Sequence, residues 1–244
     1  MTETFPELSK KVCGRDLLVF FDFESTGFSH QAIALGTIAY SPLCEDSLSL
    51  GKKVFSFRRL IRPKEKIGPV VESLTGLSDE LVQREGLPLG TVLKEWIDLL
   101  RPFSNKLFLS YSGMDLAILR NSIGDSLMEE QFYAHVKNNY LDFKKYLDRF
   151  LCDEHGQSLS LLPLAKRFSV TLEGTPHDPL TDSLTLAGVY ENVVSDEEQF
   201  LRECLLDYPK NRHLSFLERK LILEVARGKT LTFEQFKENL RRCF

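Results

Sequence analysis

The chain has 244 residues, with 31 Lys and Arg against 35 Asp and Glu and a formal net charge of -4. Hydrophobic residues make up 43% and charged residues 27%, the proportions of an ordinary globular protein long enough to bury a full core. No apolar run approaches the ~18 residues of a membrane span, the first residues lack a leader pattern, and mild acidity speaks against coating nucleic acid through bulk positive charge.

In chain order, Asp16 to Phe23 is a nearly continuous apolar run, the mark of a central strand buried on both faces, and Ser25-Thr26-Gly27 ends it. Ala32 to Tyr40 and Val54 to Ile61 read as two more strands, stopped by Ser41-Pro42 and Arg62-Pro63. Short connections make these three an antiparallel start. Leu89, Leu93, Trp96, Ile97 and Leu100 share one helical face ahead of Pro102. Lys106 to Leu109 reads as a fourth strand. Leu116, Leu119 and Ile123 fit a helix that Gly124 would close. A short strand is expected at Tyr140 to Asp142. Helices are expected at Phe143 to Leu151, at Leu159 to Phe168, and from Pro179 to about Val194.

From Ser195 onward the chain differs in kind. Ser195 to Glu198, Ser215 to Glu218 and Thr232 to Gln235 have capping-box spacing, and Leu217, Leu221 and Val225 form an apolar stripe. Pro209 to Phe244 holds 9 Lys and Arg against 4 Asp and Glu, net +5, which leaves -9 on the rest. This divides the chain into an acidic α/β body, residues 1–194, and a basic helical extension, residues 195–244. The extension is read as packing on the body, the alternative being a homodimer or partner surface. Five widely spaced cysteines without a CxxC pair indicate free thiols in a reducing, cytoplasmic setting.

Three fragments carry chemistry. In Asp22-Phe23-Glu24-Ser25-Thr26-Gly27, strand alternation puts Asp22 and Glu24 on one face at the end of a central strand. Carboxylates there need a metal or a partner to compensate burial. In His177-Asp178-Pro179-Leu180-Thr181-Asp182, Asp178 and Pro179 suit a helix start, so His177 and Asp182 can face one cleft. His is the side chain best suited to take a proton near neutral pH. In Tyr111-Ser112-Gly113-Met114-Asp115, Asp115 opens a helix, where it can serve simply as an N-terminal acid.

Together the three resemble the DEDDh exonucleases. The first motif of that family, Asp-x-Glu-x-Thr-Gly, is matched by Asp22, Glu24, Thr26 and Gly27. The second, an Asp opening a helix with Leu four residues on, is matched by Asp115 and Leu119. The third, His-x4-Asp, is matched by His177 and Asp182, with Ala187 in the helix behind. Leu74-Thr75-Gly76-Leu77-Ser78 and Asp79 are similar to the stretch such proteins carry between the first two motifs. The resemblance covers about residues 15 to 194. Many members place His-Asn or a similar polar pair shortly before the second Asp, and here Leu109-Ser110-Tyr111-Ser112-Gly113-Met114 stands instead.

The resemblance implies an α/β, ribonuclease H-like fold: a mixed five-stranded sheet flanked by helices, with a helical C-terminal extension. It implies two divalent ions, Mg2+ or Mn2+, on Asp22, Glu24, Asp115 and Asp182, with His177 as general base. It implies 3'-5' removal of 5'-mononucleotides from the 3' end of single-stranded DNA or RNA, with Thr26, Gly27 and Phe28 near the terminal nucleotide. Two alternatives accompany this expectation. One is a DNA polymerase-associated proofreading or repair exonuclease, and the other is a catalytically silent nucleic-acid-binding module on the same fold. No membrane partner is expected.

Overall fold

The structure, a computed structural model, describes residues 5–207, 230 and 232–241. Five strands form one mixed sheet in the order β3-β2-β1-β4-β5. They are β1 (Leu17–Ser25), β2 (Ala32–Pro42), β3 (Leu50–Leu60), β4 (Lys106–Ser110) and β5 (Tyr140–Asp142). The first three are antiparallel neighbours, and β4 and β5 run parallel to β1. The centre of the sheet is therefore β1, whose residues Leu17 to Phe21 are all buried.

Alternation along β1 divides the core. Leu18 and Phe20 face a cluster built with α1 (Pro6–Val12), α7 (Phe143–Leu147), α8 (Leu161–Arg167), α9 (Pro179–Ser195) and α10 (Glu197–Asp207). Leu17, Val19, Phe21 and Phe23 face a second cluster with α4 (Leu89–Leu100), α5 (Gly113–Ser122) and α6 (Leu127–Asn138). Trp96 of α4 is fully buried there, its ring centroid 5.7 Å from Phe21 and 5.2 Å from Phe132. A third, smaller cluster joins Ile33 and Ala34 to Val82 of α3 (Asp79–Glu85). Beside it lies α2 (Pro69–Thr75), which buries no residue of its own. Asp22 and Glu24 share the parity of Leu18 and Phe20, so they lie on the α9 side of the sheet.

The central strand, the antiparallel start, α4 and the short β5 follow the sequence expectation, and β3 starts four residues earlier, at Leu50. The helix carrying Leu116 and Leu119 is not closed by Gly124. It ends in an extended Ile123 whose N–H still reaches Leu119 O, and the Gly124 N–H instead donates to Glu129 Oε2 at 2.7 Å, tying the next helix start. The box expected at Ser195 is also shifted. α9 runs through Ser195, and Asp196 accepts from the Gln199 N–H at 2.9 Å. Thr232 and Gln235 do form a reciprocal pair, with bonds of 3.0 and 3.3 Å, ahead of a further helix at Phe233–Arg241. Ser215, Glu218, Leu217, Leu221 and Val225 lie outside the described residues.

In α10, Phe200 is fully buried, with its ring near those of Phe5, Phe150 and Phe168. Arg167 of α8 pairs with the buried Asp207 and with Glu203 of α10. Among the described residues no helix is long and apolar enough to cross a membrane.

Candidate active site

Four carboxylates converge at the C-terminal end of β1, delivered by three different local devices. Asp22 and Glu24 come from the strand itself, where they are half-buried while Phe23 between them points into the opposite core.

Asp115 comes from the edge. Strand β4 pairs with β1 only as far as Phe20, so the edge of β1 beyond that residue lacks a strand partner on that side. The N–H of Phe23 donates to Asp115 Oδ1 at 2.9 Å, which satisfies a backbone donor that would otherwise be buried unpaired. Asp115 is 4% exposed and sits in the first turn of α5, whose N-cap Ser112 accepts from the Met114 N–H. The loop before this Asp is held by a serine-tyrosine arrangement. Ser110 Oγ lies 2.6 Å from both Ser112 O and Tyr140 Oη, and the Tyr140 hydroxyl donates to Ser112 O.

Asp182 comes from the first turn of α9, which crosses the sheet unusually closely. In the strand register, Asp22 pairs with Gly36 and Gly36 pairs with Arg58. The backbone of Pro179 and Leu180 rests directly over Gly36, where a Cβ would meet backbone atoms at 2.1 Å. Ser183 Oγ bridges this contact, its single proton lying within reach of both Gly36 O at 3.0 Å and Pro179 O at 2.8 Å. Asp178 caps α9 by accepting from the N–H groups of Leu180 and Thr181, both at 3.1 Å, and also accepts from Arg58 Nε at 2.6 Å. His177, immediately before, adopts a left-handed backbone with φ of 63° and is exposed. One donor atom each from Glu24, His177 and Asp182 lies within 4.8 Å of the others.

Electrostatics give this cluster its character. Burial, reinforced by the charges of Asp115, Glu24 and Asp182, pushes Asp22 well above the usual carboxylate range. Burial and the nearby Asp182 and Asp115 raise Glu24 to about 8. Burial raises Asp115 to about 7, although the Phe23 N–H and the Ser110 hydroxyl favour its charged form. Burial also raises Asp182, with His177 pulling the other way. Among the described residues no Lys or Arg forms an ion pair with any of the four, and the nearby Arg58 is taken by Asp178. Four crowded carboxylate oxygen donors without an organic cation fit hard divalent ions such as Mg2+ or Mn2+. Asp22, Glu24, Asp115 and Asp182 could offer oxygen ligands to such an ion, and Glu24 and Asp182 with His177 are the ones whose donor atoms lie within 4.8 Å of one another.

The neighbouring loop is tightly braced. Thr26 is buried, and its hydroxyl bonds to the Glu65 carboxylate and accepts from the Gln31 N–H at 2.9 Å. Gly27 faces Val71 of α2, 3.7 Å from where a Cβ would stand, and Phe28 is 91% exposed. Sequence reasoning missed Gly36, Arg58, Ser183 and Glu65. The first three act through partners more than a hundred residues away, and Glu65 lies 39 residues from Thr26.

No protein-family model matches the chain, and no curated protein matches it in sequence. Solved structures do. The chain is similar to the nuclease domain of 3'hExo, a DEDDh family member bound to rAMP, with a TM-score of 0.56 and 19% identity over 75% of this chain and 93% of that one. It is similar to a full-length 3'-exonuclease with a TM-score of 0.58 and 19% identity, covering 75% of this chain but 62% of that one. It is also similar to exonuclease X in complex with 5' overhanging duplex DNA, with a TM-score of 0.52 and 14% identity over 74% of this chain and 93% of that one. The fold is that of the DEDDh 3'-exonucleases, a ribonuclease H-like mixed sheet flanked by helices.

Proposed function

We propose that this chain is a metal-dependent 3'-5' exonuclease that releases 5'-mononucleotides from the 3' end of single-stranded nucleic acid. The observation that carries the reading is the meeting of Glu24, His177 and Asp182 within 4.8 Å, beside Asp22 and Asp115, in a DEDDh exonuclease fold. Fold likeness alone would not carry it, since one fold hosts many activities and function resides in the site.

A phosphodiester resists hydrolysis because its oxygens repel nucleophiles and the departing alkoxide is a poor leaving group. Two divalent ions, when bound, lower the pKa of an attacking water and offset the charge on the departing oxygen. Asp22 and Glu24, fixed on a central strand, and Asp115, locked to the Phe23 N–H, form the rigid part of the binding cluster. Asp182 completes it from α9. A ring nitrogen of His177 takes the proton as the water oxygen bonds to phosphorus and the bond to the 3' oxygen breaks. The leaving 3' oxygen acquires a proton from solvent, so the products are a 5'-mononucleotide and a strand shorter by one. Exposure of His177 suits this task, because its proton must return to water after each turnover. Main chain at Thr26 and Gly27 and the open face of Phe28 border the position of the terminal nucleotide, Phe28 supplying an apolar surface for sugar or base.

The test is a degradation time course on 3'- and 5'-labelled RNA and DNA with Mg2+, Mn2+ or EDTA. Stepwise, metal-dependent shortening from the 3' end is expected, and the RNA and DNA arms determine the preferred sugar. Internal cuts, or no cleavage of either polymer with either metal, would refute the reading.

A further inference from the structure

The loop joining β3 to α2 runs Ile61-Arg62-Pro63-Lys64-Glu65-Lys66-Ile67. Ile61, Pro63 and Ile67 are buried, whereas Arg62, Lys64 and Lys66 are exposed, so the loop turns three cations outward. It is firmly held. The Arg62 N–H donates to Leu87 O at 2.9 Å, the Lys64 N–H to Gln31 Oε1 at 2.9 Å, and the Ile67 N–H to Asp79 Oδ1 at 3.1 Å. Glu65 does not neutralise its neighbours. Its carboxylate is committed to the Thr26 hydroxyl and accepts from the Ser29 N–H at 3.2 Å, bonds that hold it below the usual range. Among the described residues none of the three cations forms an ion pair.

Arg62 and Lys64 also line a cleft of about 270 Å³, whose other walls include Gln31, Asn121 and Glu129. The acid there is likewise occupied, Glu129 Oε2 accepting from the Gly124 N–H. The cleft adjoins the loop that follows Glu24. Gln31 exchanges two hydrogen bonds with Thr26, two residues beyond Glu24, and Asn121 Nδ2 donates to Ser29 O in the same loop. A polyanion approaching this chain meets -9 of net charge on residues 1–208 and four carboxylates at its destination. Repulsion of this kind is screened beyond roughly 10 Å, so cations fixed beside the site have the greatest effect on the approach.

We propose that Arg62 and Lys64, with Lys66 beyond them, form a phosphate-binding track for the single strand whose 3' end enters the carboxylate cluster. This rests on the nuclease reading above and extends it from the terminal nucleotide to the phosphates behind it.

The test compares the wild-type chain with a double Arg62→Ala, Lys64→Ala variant and with a control pair, Lys52→Ala, Lys53→Ala. The control pair removes equal charge at the other end of β3, roughly 20 Å from Glu24 at ~3.3 Å per residue. Binding of a labelled single-stranded oligonucleotide is followed by fluorescence anisotropy across salt concentration. Hydrolysis of that oligonucleotide is compared with hydrolysis of the p-nitrophenyl ester of thymidine 5'-monophosphate, which has no phosphates behind the scissile one. The loop variant should bind the oligonucleotide more weakly and lose about 1.4 from the slope of log K against log salt, ~0.7 per phosphate contact. Its rate on the small ester should match wild type, and the control pair should leave the slope unchanged. An unchanged slope in the loop variant, or an equal loss in the control pair, would overturn the proposal. Failure of the wild-type chain to hydrolyse either substrate would instead refute the nuclease reading, while anisotropy would still judge the loop.

Discussion

Gly36 and Pro179 meet through backbone alone: a methyl group on Gly36 would stand 2.1 Å from the Pro179 carbonyl carbon. This contact sets the height of α9 over the sheet and therefore the position of Asp182 and His177 relative to Asp22 and Glu24. Gly36→Ala is expected to lift the helix start. Overpacking of this kind costs about 1–3 kcal/mol, and a displacement of ~1 Å at a catalytic centre can cost ~100-fold in rate. Denaturant melts and kcat on a labelled oligonucleotide check both. A variant as active as wild type would show that the contact does not set the site.

Asp22→Asn separates catalysis from folding. The substitution keeps the shape of the side chain and removes an ionisable acid from a half-buried cluster of mutually repelling groups. Metal-dependent cleavage is expected to fall to background, while the metal-free variant melts at or above the wild-type temperature. Mn2+ should raise the wild-type Tm and raise that of the variant less. A variant that cleaves normally would remove Asp22 from the site.

The pH dependence of stability follows from the same repulsion. Glu24 is raised from 4.5 to about 8 and Asp115 from 3.8 to about 7. Between the unfolded and folded values the native state holds more protons than the unfolded chain, so stability falls as pH rises. Urea melts in EDTA should show stability declining from about pH 4 to pH 8. Saturating Mg2+ should flatten the decline, since bound cations replace the protons. At 100-fold excess over Kd, binding adds about 2.7 kcal/mol. Metal-free stability that rises over this window would contradict the shifts.

Asp178 and Arg58 link His177 to the sheet. Asp178→Ala removes the cap of α9, at about 1 kcal/mol, and releases the tether beside His177. The Arg58 pair is partly exposed, at 39% and 27%, so Arg58→Ala should cost under about 1 kcal/mol. Both variants should lower kcat more than they raise KM. Equal losses in stability from the two would mean that the ion pair, rather than the cap, carries the energy.

Phe200 tests the attachment of α10. It is fully buried among Phe5, Phe150 and Phe168, and Phe→Ala at such a position costs about 3–5 kcal/mol. A loss under 1 kcal/mol by urea denaturation would mean that α10 contributes little to the body.

The sequence by itself determined the elements whose signals are local. Leu17 to Phe21 reads as a central strand because both faces are apolar, and Leu89 to Leu100 reads as a helix because Leu89, Leu93, Trp96, Ile97 and Leu100 recur at helical spacing, three of which the structure buries together with Val92. The seven-residue helices α1, α2 and α3 escaped because they bury little, three residues in α1, one in α3 and none in α2. The twelve-residue α6 escaped because its buried stripe is only Phe132 and Val136. The acids and the histidine of the candidate site were legible as motifs, since each lies at a strand end or helix start that the neighbouring residues specify. Only the tertiary structure decided how they act together. Gly36 could be seen as a cradle, Asp115 as the partner of the Phe23 N–H, and Glu65 as the brace that leaves Arg62 and Lys64 unpaired only once β2, α5 and the loop after β3 were set against β1. These relationships connect residues far apart in the chain, and their strength depends on burial and strand register, which no local pattern encodes.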